Sequence, residues 1–174
     1  VGLGYVGLSN AVLLAQHNEV IGVDLSRKRV DLLNARKCPI VDPELKGFFS
    51  ERDINFVAST NLQRSVIKSD YVIISTPTNY DEATSYFDTS SVEDVIKRVL
   101  HAEPKTCIII KSTIPVGFVN QMRERFITNA IIFSPEFLRE GQALKDNLYP
   151  SRIIIGSDHN QAHTFAHLLQ QAAE

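Results

Sequence analysis

Short apolar runs alternate with longer stretches of mixed polarity along almost the whole chain. The runs that read as strands are Glu19–Val23, Asn55–Ala58, Tyr71–Ile74, Cys107–Ile110, Ala130–Phe133 and Arg152–Ile155. Most are apolar at consecutive positions rather than at every second one, as expected of strands covered on both faces. Between them, helical stretches run over Leu8–Ala15, Ser26 to about Arg36, Glu44–Ser50, Asn61–Lys68, Ser90–His101, Gly117–Phe126 and from Asn160 onward. Ser26 is placed to cap its helix. This alternation predicts a mostly parallel sheet with helices on both faces, a doubly wound α/β fold.

The chain opens on Gly2-Leu3-Gly4-Tyr5-Val6-Gly7, directly before the first helical stretch. Three glycines at this spacing meet three needs. Gly2 permits a tight turn, Gly4 lets a pyrophosphate approach the backbone, and Gly7 lets the helix pack close to the sheet. The helix N-terminus then offers free N–H groups to phosphate. Asp24 ends the strand that follows and can accept hydrogen bonds from ribose hydroxyls. Arg27, Lys28 and Arg29 can meet a 2′-phosphate, but Asp24 would repel one, so the expected coenzyme is NAD rather than NADP. The expected fold is therefore Rossmann-like. Only Val1 stands for the strand that leads into Gly2. In the 3-2-1-4-5-6 strand order that strand is central. Residues 1–174 are thus expected to be an incomplete coenzyme-binding domain, an excerpt that does not fold stably by itself.

Three strand ends carry small hydroxyls beside proline: Ser75-Thr76-Pro77, Ser112-Thr113-Ile114-Pro115 and Ser134-Pro135. Strand carboxyl ends line the ligand crevice of doubly wound sheets. Short hydroxyls there can bond a coenzyme without filling its space, although Ser/Thr-Pro also simply punctuates strand ends.

Composition narrows the possibilities. A formal net charge of -2 gives no basic footprint for nucleic acid, and no apolar run reaches membrane-spanning length. Cys38 and Cys107 make neither a metal set nor a disulfide framework; Cys107 reads as core, and a reducing cytoplasm is expected. No metal site is expected: His163 and His167, four residues apart, have no third ligand and read as a solvated helix face. Tyr80, Asp81, Glu82 and Tyr86 read as a polar loop at the lip of the coenzyme site. Arg152 reads as a strand-entry charge or a partner for an acidic group. Lys111 reads as reaching a neighbouring carboxylate or solvent rather than performing chemistry.

Five segments together resemble the UDP-glucose 6-dehydrogenase family of nucleotide-sugar dehydrogenases. They are residues 2–8, Thr76-Pro77-Thr78-Asn79-Tyr80, Lys111 through Phe118, Phe133-Ser134-Pro135-Glu136-Phe137-Leu138-Arg139-Glu140-Gly141, and Tyr149-Pro150-Ser151-Arg152. The likeness runs over essentially the whole chain. It implies oxidation of the C6 hydroxymethyl of UDP-glucose to a carboxylate by two NAD⁺ in turn, through an aldehyde-level stage and a cysteine thioester. It implies NAD contacts from Gly2, Gly4, Tyr5, Val6, Gly7, Asp24, Arg29, Thr76, Pro77 and Thr78. Thr113 and Glu140 would lie near the nicotinamide, and Glu136, Phe137, Leu138, Arg139 and Glu140 would form a loop against the sugar. Glu136 would act as a base through water that Thr113 orients. Independently of the likeness, a carboxyl beside Phe137-Leu138 can have a raised pKa suited to general base work. Alternatively, Glu136 and Glu140 form an exposed pair ahead of the next helix.

The family's nucleophilic cysteine, with its lysine, asparagine and aspartate partners, belongs to a linking helix and a C-terminal nucleotide-sugar-binding domain outside residues 1–174. Neither Cys38 nor Cys107 matches its motif, so these residues alone are not expected to complete the oxidation. The likeness also implies a homodimer formed through that helix. A GDP-mannose-type dehydrogenase and a non-catalytic NAD-binding module stand as alternatives.

Overall fold

The computed structural model describes residues 1–82 and 86–174. Its central feature is a set of parallel strands. Strand β1 (Val20–Val23) pairs with β2 (Phe56–Ser59), and β3 (Tyr71–Ile74) pairs with β6 (Cys107–Ile110), which pairs in turn with β7 (Ile131–Phe133). Val1 and Gly2 lie between the two groups. The Gly2 amide donates to Val23 at 2.8 Å, while Val1 donates to Ile73 at 2.7 Å and accepts from the Ser75 amide at 2.8 Å. The spatial order is therefore β2-β1, the Val1–Gly2 backbone, then β3-β6-β7, as expected of a Rossmann-like sheet.

All four residues of β6 are fully buried. Side chains alternate across a strand, so Cys107 and Ile109 enter one core while Ile108 and Ile110 enter the other. The first core is covered by α1 (Tyr5–Leu14), α2 (Arg27–Asn34), α3 (Pro43–Glu51), α7 (Ala143–Leu148) and α8 (Asn160–Ala172). The second is covered by α4 (Leu62–Ser65), α5 (Ser90–Ala102) and α6 (Phe118–Phe126). In α5 the buried residues are Val92, Val95, Ile96 and Val99, the spacing of a single apolar stripe. Helix α1 is different. It is buried continuously from Gly7 to Leu14 because α3, α7 and α8 pack around it as well as the sheet.

Local chemistry fixes the helix starts. Ser26 caps α2 by accepting from the Arg29 amide, as the sequence predicts. Asp42 accepts from the Leu45 amide at 3.0 Å ahead of Pro43, which cannot donate at the first helical position. The same carboxylate reaches the Leu144 amide, tying α3 to α7.

Three expectations need correction. Arg152–Ile155 is not a ladder strand: the Gly156 amide donates to Phe133 at 2.8 Å, while Ile154 stays 42% exposed. Ile153 and Ile155 pack on the first core from the rim of the sheet, so the apolar run reports a half-buried edge rather than a covered strand. Helix α4 stops at Ser65, and the Asn61–Lys68 stretch turns out of the helix before Lys68, which has φ +63°. The polar stretch around Tyr80 contains antiparallel β4 (Asn79–Asp81) and β5 (Tyr86–Asp88), with the Tyr80 and Phe87 rings 4.7 Å apart.

One contact sets the pose of α1. A Cβ placed on Gly7 would lie 1.7 Å from the Gly2 carbonyl oxygen, whereas one on Gly47, within α3, would meet nothing within 4 Å. Gly7→Ala is therefore expected to cost about 3 kcal/mol or more in the whole protein. Gly47→Ala is expected to gain up to about 1 kcal/mol by reducing unfolded-chain freedom. Denaturant melts of the two variants beside the parent check both signs.

Candidate functional site at the carboxyl edge of the sheet

The glycine turn, Asp24, the loop after β3, Thr113 and the segment after β7 all follow the carboxyl ends of parallel strands. Doubly wound sheets bind ligands along this edge. Gly2 has φ +85°, and a Cβ there would lie 2.5 Å from the Ser75 carbonyl oxygen. Gly4 behaves differently: a Cβ on it would meet nothing within 4 Å, so its backbone faces open space. Gly4 is also the N-cap of α1 and supplies no side-chain cap, and no acidic residue stands in the first helical turn. The positive end of α1 is thus presented beside an open backbone, a combination suited to a pyrophosphate. Tyr5 and Val6, half-buried, form that first turn.

Asp24 is 9% exposed and accepts three hydrogen bonds. Oδ2 accepts from the Leu3 amide and from Arg29 Nη1, both at 2.9 Å, and Oδ1 accepts from the Ser26 amide at 2.8 Å. Burial alone would raise its pKa, but the bonds from Ser26, Leu3 and Arg29 outweigh it and hold the carboxyl below the usual carboxylate range. An ionised Asp24 therefore ties the end of β1 to the glycine turn and to α2. This bracing role is not evident from the motif, because nothing in the spacing tells that the Leu3 amide turns towards it.

The loop after β3 is pinned by two serines. Ser91 Oγ donates to the Pro77 carbonyl at 2.8 Å and lies 3.0 Å from Thr76 Oγ1, from which it can accept, and Ser112 Oγ donates to the Thr76 carbonyl at 2.7 Å. Thr76 and Thr78 are half-buried and Pro77 is exposed. Ser75 Oγ is buried beside Gly7 with no hydrogen-bond partner among the described residues.

Beyond β7 the geometry changes. Lys111, 5% exposed at the end of β6, donates from Nζ to the Ser134 carbonyl and Ser134 Oγ, each at 3.3 Å. Glu136 follows, half-buried, and both line a cleft of about 50 Å³ with Asn10, Asn147 and Arg152. A water needs roughly 10–15 Å³ of such volume, so this cleft has room for a few waters. Burial pushes the Glu136 carboxyl above the ordinary range, against the opposing influence of its own backbone amide and of Lys111.

Residues 134–139 are neither helix nor strand, Glu140 and Gly141 form a turn, and α7 starts at Ala143 with Gln142 as its N-cap; Glu136 is half-buried and only Glu140 is exposed, so the two are not an exposed pair capping that helix. Phe137 also lines the cleft, beneath the Arg152 guanidinium at 4.1 Å from its ring centroid. Arg139 is exposed and clamps Asp146 through its amide, Nε and Nη2 at 2.8, 3.1 and 2.7 Å. Leu138 is half-buried, and Thr113 and Glu140 are exposed and outside the lining of the cleft. Lys111, expected to reach a neighbouring carboxylate or solvent, is instead buried in the cleft wall and bonded to Ser134, because the end of β6 lies under the turn that follows β7. Asn147 belongs to the same neighbourhood, and its amide donates to Ser9 in α1 at 2.9 Å; nothing local in the sequence signals it.

Neither cysteine suits nucleophilic work. Burial raises the Cys38 pKa and pushes that of Cys107 up to about 11, so both favour the thiol. His163 and His167 are exposed on α8. Among the described residues no helix is long and apolar enough to cross a membrane.

Comparison with known proteins agrees with this geometry. The family model described as "UDP-glucose/GDP-mannose dehydrogenase family, NAD binding domain" matches residues 1–173. The UDP-glucose 6-dehydrogenase of Streptococcus pneumoniae is 51% identical over 157 residues, covering 90% of this chain and 40% of that protein. The GDP-mannose 6-dehydrogenase of Pseudomonas aeruginosa is 31% identical, covering 89% of this chain and 39% of its own length. Among solved structures, a UDP-glucose dehydrogenase from Pyrobaculum islandicum superposes with a TM-score of 0.85 at 28% identity, covering 99% of this chain and 43% of that one. The chain thus spans about two-fifths of the length of the curated relatives it matches. It belongs to the UDP-glucose/GDP-mannose dehydrogenase family and is the NAD binding domain of that family.

Proposed function

We propose that this chain is the coenzyme half of an NAD-dependent dehydrogenase that oxidises the C6 hydroxymethyl of UDP-glucose to the carboxylate of UDP-glucuronate. The 51% identity to a UDP-glucose 6-dehydrogenase, against 31% to a GDP-mannose enzyme, favours the glucose nucleotide. The observation that carries the reading is the position of Glu136. It is a half-buried carboxyl of raised pKa beside a cleft sized for water, on the same sheet edge as the open Gly4 backbone.

The residues divide the work by their chemistry. The first-turn amides of α1, around Gly4, Tyr5 and Val6, hold the pyrophosphate. Asp24 accepts from the adenosine ribose hydroxyls with a lone pair not used by Leu3, Ser26 or Arg29. Thr76, Pro77 and Thr78 wall the crevice, and the serine bonds keep that wall in place. NAD, when bound, supplies the hydride acceptor, and it is used twice because converting a primary alcohol to a carboxylate removes four electrons. The second oxygen of the product comes from water. Glu136 takes a proton from that water, and the Thr113 hydroxyl, which both donates and accepts, orients it. Residues 136–140 face the sugar, and Glu140 borders the reacting carbon. The resemblance further implies that this water cleaves a thioester on a cysteine of another segment of the whole protein.

Two outcomes test the reading in the whole protein. Gly4→Ala places a methyl group in space that is open without ligand, so the melting temperature stays unchanged while NAD affinity falls at least about tenfold, or about 1.4 kcal/mol. Calorimetric titration with NAD beside a thermal melt measures both. Glu136→Gln keeps NAD affinity but lowers kcat for UDP-glucuronate formation by about 10²–10⁴-fold, read as NADH release from UDP-glucose with GDP-mannose as the competing substrate. The parent enzyme loses kcat as pH falls through the raised Glu136 pKa, hence at a higher pH than an ordinary glutamate would give. Full turnover by Glu136→Gln, or faster NADH release from GDP-mannose, refutes the assignment.

A further inference from the structure

Lys111 is, among the described residues, a buried cation at this edge, and the proposed chemistry gives it no task. Its ammonium has three donors. Two are spent on the Ser134 carbonyl and hydroxyl at 3.3 Å, long bonds to neutral acceptors that compensate little of the cost of burying a charge. The ionisable groups lining the same cleft are Glu136, Asp146 and Arg152. Asp146 is already taken by three bonds from Arg139, and Arg152 is stacked on Phe137. That leaves Glu136 as the countercharge, two residues beyond the serine that Lys111 holds. Among the described residues the two do not close into a direct salt bridge. Each thus influences the other across space that admits water, and a bonded cation does not cap the carboxylate.

We propose that Lys111 is a positioning residue for Glu136: it pins the bend at Ser134 and supplies the positive field that keeps the carboxylate ionised while leaving it free to take a proton from water. This rests on the reading of Glu136 as the base. The direction of each titration agrees with it. Burial brings the Lys111 ammonium down to about 8 while Glu136 opposes that fall, and burial raises Glu136 while Lys111 opposes that rise. At neutral pH Lys111 is still largely charged, so the field is present where the base must work. A lysine that only filled space at the end of β6 would do neither.

The test uses the full-length enzyme in the parent, Lys111→Met, Lys111→Arg and Ser134→Ala forms. Two quantities are followed against pH: kcat, and the infrared carboxyl band that disappears in Glu136→Gln. Losing the cation raises the Glu136 pKa, because an opposite charge at short range lowers a carboxyl pKa by about one unit or more. In Lys111→Met both the band midpoint and the acid limb of kcat should therefore move up by about one pH unit. Lys111→Arg should return both towards the parent, and Ser134→Ala, which keeps the charge but loosens its tether, should move both in the same direction by less. Thermal melts show which variants fold. If Lys111→Met does not, Ser134→Ala carries the decision. An unmoved midpoint in every folded variant overturns the inference. A moved midpoint beside an unmoved limb upholds the contact and overturns instead the assignment of Glu136 as base.

Discussion

The Gly2 carbonyl occupies the space a side chain at position 7 would need, and the rest of the coenzyme edge is built on that contact. It brings the first turn of α1 onto the backbone that joins β1 to β3. Because α1 is then walled by the sheet on one side and by α3, α7 and α8 on others, its direction is fixed by packing rather than by its own caps. Asp24 locks the arrangement electrostatically, holding the turn through the Leu3 amide and the start of α2 through Ser26 and Arg29. A helix aimed this way delivers its unpaired amides to the edge where Gly4 leaves room. One steric exclusion thereby sets both a fold element and a binding surface.

The far end of the same edge works on a different principle. There the distinctive groups are buried and half-buried side chains. Lys111 and Glu136 are both withdrawn from water, and their mutual attraction only partly offsets what that withdrawal costs. Such a pair is poor value for stability, since well-packed apolar residues would serve at least as well. Shifted titrations beside a cleft that admits water are instead what the proposed proton transfer would use.

These two halves differ in how much of them can be read from the chain. The glycine turn was legible because its requirements are backbone requirements: Gly2 needs a positive φ, Gly7 a missing Cβ, and both are local in sequence. The covered strands and the apolar stripe of α5 were legible for the same reason, since periodicity reports burial directly. Where burial is one-sided the signal misleads. Ile153-Ile154-Ile155 looks like a covered strand, but it is a rim segment that bonds β7 through Gly156. The β4–β5 ribbon leaves no such signal, because each strand has only three residues. The roles proposed for Glu136 and Thr113 rest on resemblance, because side chains on an irregular segment have no period from which to infer direction.

That asymmetry follows from how this fold divides its tasks. Binding the shared part of a coenzyme calls for geometry that backbone and helix dipole supply, so the residues concerned are small and their spacing is rigid. Setting a carboxyl's pKa calls for partners from distant strands. Lys111 belongs to the end of β6 and Glu136 to the segment after β7, and they share a cleft wall with Asn147 of α7, itself bonded to Ser9 of α1. The α1 helix therefore contacts both halves: its first turn faces the open glycine backbone, while Asn10 and Leu13 line the cleft around Glu136. The bond from Asn147 to Ser9, and from Ser9 to the Tyr5 carbonyl, links the cleft wall to the first turn of α1. The steric contact at Gly7 thus bears on the cleft around Glu136 as well as on the open backbone at Gly4.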